Sequence, residues 1–100
     1  MLRISIQEET DAATLKLEGK LVGPWVTELN RVWFDLEPSL GMKKLRLDIR
    51  GVTFVEENGT KALRKILCLK NAEILADTPL TRDFAAKTMR RMPRNDGREI

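Results

Sequence analysis

Hydrophobic and polar residues alternate in the first part of the chain. Leu2, Ile4 and Ile6 are separated by polar side chains, and residues 15–21 resume the same period after a polar turn. A period of two is typical of a strand that buries one face. Because the connection between the two segments is short, we predict that they form an antiparallel hairpin.

The hydrophobic period changes at Gly23-Pro24, where we predict that a helix begins with proline in its first turn. Apolar residues then recur with spacings of three and four, which is typical of a helix with one buried face. The predicted apolar stripe consists of Trp25, Val26, Leu29, Val32, Trp33 and Leu36. Pro38 and Gly41 are predicted to close this helix.

A third alternating segment and a second helix follow. Leu45, Leu47 and Ile49 predict a strand, and Gly51 predicts a turn before an apolar step that ends at Val55. In the helix after this step the predicted inner residues are Ala62, Leu63, Ile66, Leu67 and Leu69. Its predicted outer residues are Lys61, Arg64, Lys65 and Lys70.

The last predicted elements are a fourth strand over residues 72–76 and a helix that starts at Thr78-Pro79, a pair typical of a helix start. The predicted apolar residues of this helix are Leu80, Phe84, Ala85 and Met89. Residues 1–90 are predicted to form one domain, and residues 91–100 a flexible basic tail.

The element order β-β-α-β-α-β-α predicts an α/β fold. Strands that alternate with helices indicate a mixed, largely parallel sheet, here of four or five strands entered by one antiparallel hairpin. A parallel sheet covered on both faces needs strands that are apolar on both faces. Three of the predicted strands have a polar face instead, so we expect helices mainly on one face.

Composition narrows the range of functions. The 100 residues include one Cys and no His, which excludes an internal disulfide and the usual zinc ligand sets. The absence of His also removes the commonest general base near neutral pH. We therefore expect a binding module and not an enzyme, with no cofactor and no metal.

The charge distribution and the apolar runs bear on partners and location. The net charge is +3, and the arginines near the end of the chain have no aromatic residues between them. We therefore expect no nucleic-acid binding. No apolar run approaches the roughly 20 residues of a membrane span, and the first residues lack a signal-peptide core. We expect a cytoplasmic protein.

Two motifs resemble those of a known family. Residues 47–59 have the sequence LDIRGVTFVEENG, and residues 17–23 have the sequence LEGKLVG. The first resembles the signature of STAS domains, the anti-sigma-factor-antagonist family, in which an apolar strand ends in Asp and an Asp-Ser-x-Gly loop opens a helix. The second is similar to the Gly-x-Leu-Asp turn of that family. Both stand in register on the same element order, and the resemblance covers residues 2–90.

The resemblance implies a phosphorylation switch that this chain lacks. In antagonists of the family, a kinase that doubles as an anti-sigma factor phosphorylates the Ser, and the unphosphorylated domain binds that kinase. Here Glu56 stands at the Asp position, Glu57 at the Ser position, Asn58 at the variable position and Gly59 at the conserved Gly. Val22 replaces the Asp of the second motif. The chain is therefore expected to be an interaction module that phosphorylation does not switch.

The two glutamates have two interpretations. Near a helix N-terminus each would stabilise the helix by about 0.3–1 kcal/mol. Alternatively, Glu57 mimics in part a permanent phosphate, although one carboxylate has less charge than a phosphate. The nearest hydroxyl, on Thr60, is expected to make local hydrogen bonds at the helix start.

The expected partner is a protein. It is either an anti-sigma factor with serine kinase activity or another STAS-type protein. The predicted contact residues are Phe54, Glu57, Thr60, Lys61, Arg64 and Lys65. The alternative is a constitutive scaffold or a transporter-associated subunit unrelated to sigma factors, and the sequence leaves a homodimer open.

Overall fold

A computed structural model describes residues 2–70 and 72–90. For Leu69, Lys70 and Arg90 it describes the backbone only. The predicted tail, residues 91–100, lies outside the described residues. The inner position predicted for the Leu69 side chain and the outer position predicted for the Lys70 side chain also fall outside this description.

The described residues form four strands and three helices in the predicted order. The elements are β1 (Leu2–Glu8), β2 (Ala12–Leu21), α1 (Pro24–Leu40), β3 (Lys44–Val55), α2 (Glu57–Lys70), β4 (Glu73–Leu75) and α3 (Pro79–Arg90). They build one sheet with the strand order β1-β2-β3-β4. β1 is antiparallel to β2, and the other two pairs are parallel. The predicted mixed α/β fold with an antiparallel entry hairpin is confirmed.

The core lies on one face of this sheet, between the strands and the helices. The strands contribute Leu15, Leu17, Leu45, Leu47 and Ile49, which are all at most 2% exposed. α1 contributes Val26, Leu29, Trp33, Leu36 and Leu40, and α2 contributes Ala62, Leu63, Ile66 and Leu67. The opposite, open face has exposed polar residues such as Ser5, Lys16 and Arg46. The expectation that the helices cover one face is therefore confirmed.

Gly51 does not make the predicted turn. β3 runs from Lys44 to Val55 without interruption, and its pairing with β2 shifts register on both sides of the Gly51 position. A β-carbon at residue 51 would lie 2.8 Å from the Cγ atom of Glu18 on the neighbouring strand. The glycine therefore relieves crowding between two strands at an irregular point of the ladder.

Pro38 does not end α1, because the helix continues to Leu40. Leu40 is only 2% exposed, and its burial favours continuation of the helix past Pro38 despite the hydrogen bond that proline cannot donate. The helix ends at Gly41, which has a positive φ of 57° that suits glycine.

Two of the apolar residues predicted for α3 do not pack in the core. Leu80 and Met89 are 49% and 54% exposed, while Thr81 and Thr88 are buried beside Phe84 and Ala85. Burial of the threonines is tolerated because their hydroxyls bond locally: Thr88 donates to the Phe84 carbonyl at 2.9 Å. The fourth strand is also shorter than predicted, with three residues.

Candidate partner-binding site

The loop that opens α2 is tied to the loop that opens α1. The backbone N–H of Glu56 donates to the carbonyl of Leu21 at 3.2 Å. In return, Oε2 of Glu56 accepts a hydrogen bond from the N–H of Gly23 at 2.8 Å. Gly23 has a φ of 54°, in the left-handed region that glycine adopts without strain. The Glu56 side chain thus joins two loops that are 33 residues apart.

Gly59 allows α2 to approach the end of β2 closely. The residue is buried, and a β-carbon there would lie 2.9 Å from both the carbonyl oxygen and Cγ of Leu21. It would also lie 3.0 Å from Cγ1 of Val55. Any larger residue would push the first turn of α2 away from the sheet. The glycine of the motif therefore sets the position of the helix.

Glu57 lies on the opposite, outer side of the same helical turn. It is exposed, as are Lys61, Lys65 and Cys68, which follow at helical spacing along α2. We call these four residues the outer face of α2. Within residues 2–70 and 72–90, the side chains of Glu57, Lys61 and Lys65 form no hydrogen bond or ion pair. Their charges are available to another molecule.

A groove of about 420 Å³ runs between α1 and α2 beside this face. Most of its lining residues are polar, and Glu56 is one of them. The lining residues are Gly23, Val26, Thr27, Asn30, Glu56, Asn58, Lys61, Ala62 and Lys65. Amide, hydroxyl and ammonium groups in such a groove can hydrogen-bond to the backbone or side chains of a docked chain.

The structure brings together part of the predicted contact set. Glu57 shares the outer face with Lys61 and Lys65, and both lysines also line the groove. Thr60 is half-buried, and both its N–H and its hydroxyl donate to the carbonyl of Glu56, at 3.0 and 3.4 Å. The local hydrogen bonding expected of Thr60 is therefore confirmed.

Two predicted contact residues lie apart from the groove. Arg64 is half-buried, and its Nε donates to the Thr88 carbonyl at 3.2 Å, so that it joins α2 to α3. Phe54 is 50% exposed and pairs with Lys20 of β2 near the end of the sheet. Neither residue lines the groove.

The sequence motifs do not indicate the α1 side of the groove. Gly23, Thr27 and Asn30 line it, and their spacing of four and three places them on one side of the helix. Polar residues at that spacing, beside the apolar stripe and away from the charged side, were the available indication. The partner element, α2, could not be inferred from α1 alone.

The open face of the sheet presents a second group of charges. Asp48 is 3% exposed there, and its carboxylate accepts hydrogen bonds from Nε and Nη2 of Arg50, at 3.0 and 2.9 Å. The side-chain hydrogen bonds from Arg50 hold the pKa of Asp48 below its usual value, against the effect of burial. The Asp48 carboxylate and the Arg50 guanidinium are thus hydrogen-bonded to each other.

Comparison with known proteins supports the fold. No family model and no curated protein matches the chain. It is similar to the crystal structure of Mglu, with 17% identity and a TM-score of 0.57 over 75% of this chain and 19% of that one. Mglu in its native form gives 14% identity and a TM-score of 0.53 over 74% and 22%. This chain thus spans about a fifth of the length of the Mglu chains.

A third solved structure matches over most of both chains. It is an uncharacterized protein of the DUF3478 family from Shewanella loihica PV-4, which has a SpoIIAA-like fold. The identity is 18% and the TM-score 0.55, over 88% of this chain and 75% of that one. The chain therefore has the SpoIIAA-like, or STAS, fold, as the sequence motifs predict. In the described part of the chain no helix has the length and apolar character needed to cross a membrane.

Proposed function

We propose that this STAS-fold chain is a non-catalytic protein-interaction module that binds its partner through the outer face of α2 and the adjoining groove. One observation carries the proposal. Glu57 occupies the switch position of the motif and is exposed, without a side-chain partner in the described residues, whereas Glu56 beside it is held by Gly23. Glu56 thus makes a hydrogen bond within the fold, whereas the Glu57 side chain is exposed to another molecule.

The same geometry favours a module that phosphorylation does not switch. Residue 57 has no hydroxyl, and the Thr60 hydroxyl is half-buried against the Glu56 carbonyl. A permanent carboxylate presents one negative charge where a phosphate would present about 1.5 to 2. The partner would therefore meet a constant surface, negative at Glu57 and positive at Lys61 and Lys65.

A pull-down with charge-reversed variants tests this proposal. The double variant Glu57→Arg, Lys61→Glu keeps the net charge but inverts the charges of the outer face, so we expect it to lose the partner that the wild type retains. The matched control is Glu9→Arg, Lys44→Glu, which makes the same exchange at exposed positions near the β1–β2 turn. Equal retention by both double variants would place the interface elsewhere.

The identity of the captured partner separates two kinds of module. A module in sigma-factor control should retain a kinase-like ATPase. A constitutive scaffold or transporter-associated subunit should retain structural subunits or further copies of itself.

Intact mass after incubation with a captured kinase and ATP tests the absence of a switch. We expect no added phosphate on the wild type and one added phosphate on Glu57→Ser, which restores the hydroxyl. Phosphorylation of the wild type within residues 56–60 would contradict the proposal.

A further inference from the structure

β1 forms an edge of the sheet that nothing in the described structure covers. It pairs with β2 on one side, in an unbroken register from Leu2 to Glu8, and has no neighbour on the other. Natural proteins protect free edges with short strands, prolines, bulges or inward-pointing charges. β4, at the other edge, has only three residues. β1 has seven residues, no proline, no glycine and no bulge, and its core-side charge, Glu8, lies at the last position of the strand and is paired with Lys43 at 3.7 Å.

The register shows which backbone groups of β1 face the free edge. The N–H of Glu9 donates to the Ala12 carbonyl at 2.7 Å, which marks these residues as a hydrogen-bonded pair of the hairpin. Hydrogen-bonded pairs alternate along an antiparallel ladder. The odd residues of β1 therefore bond to β2, and the N–H and C=O groups of the even residues point outward. These residues are Leu2, Ile4, Ile6 and Glu8.

The outward-facing residues also place apolar side chains at the edge. Leu2, Ile4 and Ile6 are on the same face as the core, because they pair with Gly19, Leu17 and Leu15. Leu2 is buried and Ile4 half-buried, but Ile6 is 46% exposed. Apolar burial at this edge is thus incomplete in the isolated chain.

β1 is complementary to itself in the antiparallel direction. A twofold axis through Ser5 would pair all seven residues with those of a second copy and join every outward N–H and C=O group. In that register Ile4 stands opposite Ile6 of the second copy, Arg3 opposite Gln7, and Leu2 opposite Glu8. Each pair lies on one face of the combined sheet, and no like charges meet.

We propose that two copies of the chain associate through β1 to form one continuous eight-stranded sheet. The symmetric contact would satisfy the free backbone groups and bury Ile6 against Ile4 of the second copy. β2 separates this edge from β3 and α2. Dimerisation is therefore independent of the partner-binding surface proposed above and can fail or succeed without it.

The mass of the protein in solution tests the association. Light scattering coupled to size-exclusion chromatography should give a mass that rises with concentration to twice the 11.5 kDa of one chain. Ile6→Lys should give the mass of one chain at the concentrations where the wild type is dimeric, because it places a charge opposite Ile4 of the second copy. Thr10→Lys, at an exposed position in the adjacent turn, should leave the dimer intact. A wild type that remains monomeric throughout would overturn the proposal and leave the edge to a strand of another protein.

Disulfide trapping tests the register without depending on the stability of the lysine variant. In a Cys68→Ser background, Ser5→Cys should form a cross-linked dimer, because opposed residues of a non-hydrogen-bonded pair have Cα atoms about 4.5 Å apart. Gln7→Cys lies on the same strand and face, but its two copies would be four residues apart, about 14 Å. Equal cross-linking at both positions, or none at residue 5, would overturn the proposed pairing.

Discussion

The open face of the sheet and the outer face of α2 both contain acids and bases, but they use them differently. On the open face three acids are paired with three bases. The pairs are Lys16–Glu18 at 4.0 Å, Arg46–Glu73 at 3.5 Å and Arg50–Asp48 at 2.9 Å. On the outer face of α2, the charges of Glu57, Lys61 and Lys65 have no side-chain partner among the described residues.

This difference distinguishes charged side chains that stabilise the fold from charged side chains that are available to bind a partner. The Asp48 carboxylate is almost fully buried, and its loss would leave Arg50 without a partner. An exposed group such as Lys61 contributes little to stability, because water already solvates it. We therefore expect substitutions on the open face to affect unfolding and substitutions on the outer face of α2 to affect binding.

The largest expected effect on stability is at Gly59, in the first turn of α2. Gly59→Ala should destabilise the protein by about 2 kcal/mol, because its β-carbon meets the backbone carbonyl of Leu21, which cannot move aside. Gly51→Ala on the open face is the matched control. Its β-carbon meets only the flexible side chain of Glu18, so the cost should be well below that of Gly59→Ala. Urea denaturation measures both, and equal losses would show that α2 is not seated as tightly as the distances indicate.

Asp48→Asn should cost about 1–2 kcal/mol at neutral pH, since it replaces two charge-assisted hydrogen bonds with weaker ones. The pKa of Asp48 is lower in the folded protein than in the unfolded chain. The stabilisation is therefore present above about pH 4, the usual pKa of an aspartate, and is lost as the pH falls through the folded-state pKa.

Urea denaturation at neutral and acidic pH measures this dependence. The difference in unfolding free energy between the wild type and Asp48→Asn should shrink in acid. A difference that does not change with pH would mean that the Asp48–Arg50 pair does not supply it.

Substitution of the two neighbouring glutamates should have smaller effects on stability, and the two effects should differ. Glu56→Ala removes the acceptor for the Gly23 N–H and should cost about 1 kcal/mol. Glu57→Gln removes only a charge near the helix N-terminus, which is worth about 0.3–1 kcal/mol at an exposed site and falls toward the lower value as salt screens it. Thermal unfolding of the two variants compares them. A larger loss for Glu57→Gln would reverse the roles that the structure gives to these residues.

Lys61→Ala should have the smallest effect on stability, within about 0.5 kcal/mol of the wild type. Its side chain is exposed and has no partner in the described structure. The matched variant on the open face is Arg50→Ala, which removes the two side-chain hydrogen bonds to the buried Asp48 carboxylate and should cost more. Denaturation midpoints measured side by side compare the two, and equal costs would remove the distinction between the surfaces.

Local patterns predicted most of the fold. Alternation in β1 and β2 predicts the hairpin because the polarity of each residue indicates whether its side chain is buried. In the same way, the 3.6-residue period of the apolar residues predicts α1 and α2. The errors occur where a distant residue decides. Gly51 lies opposite Glu18 on the neighbouring strand. Burial of Leu40 in the core keeps α1 helical beyond Pro38. In α3 the buried face includes Thr81 and Thr88, and the positions of the apolar residues alone do not predict the burial of these polar side chains.

The candidate site was predictable only in part for the same reason. The motif over residues 47–59 located the loop and the outer residues of α2. It did not indicate that Glu56 would hold Gly23, because the two are 33 positions apart. Nor did it indicate the α1 wall of the groove, since Thr27 and Asn30 meet α2 only after both helices pack on the sheet.

The most direct test of the difference between the two surfaces is the affinity of the captured partner for Glu57→Gln and for Asp48→Asn, at a temperature where both variants are folded. Loss of the outer charge should raise the dissociation constant about tenfold, or 1.4 kcal/mol, whereas the open-face variant should bind as the wild type does. Unchanged binding by Glu57→Gln, or an equal loss for Asp48→Asn, would contradict the assignment of binding to the outer face of α2.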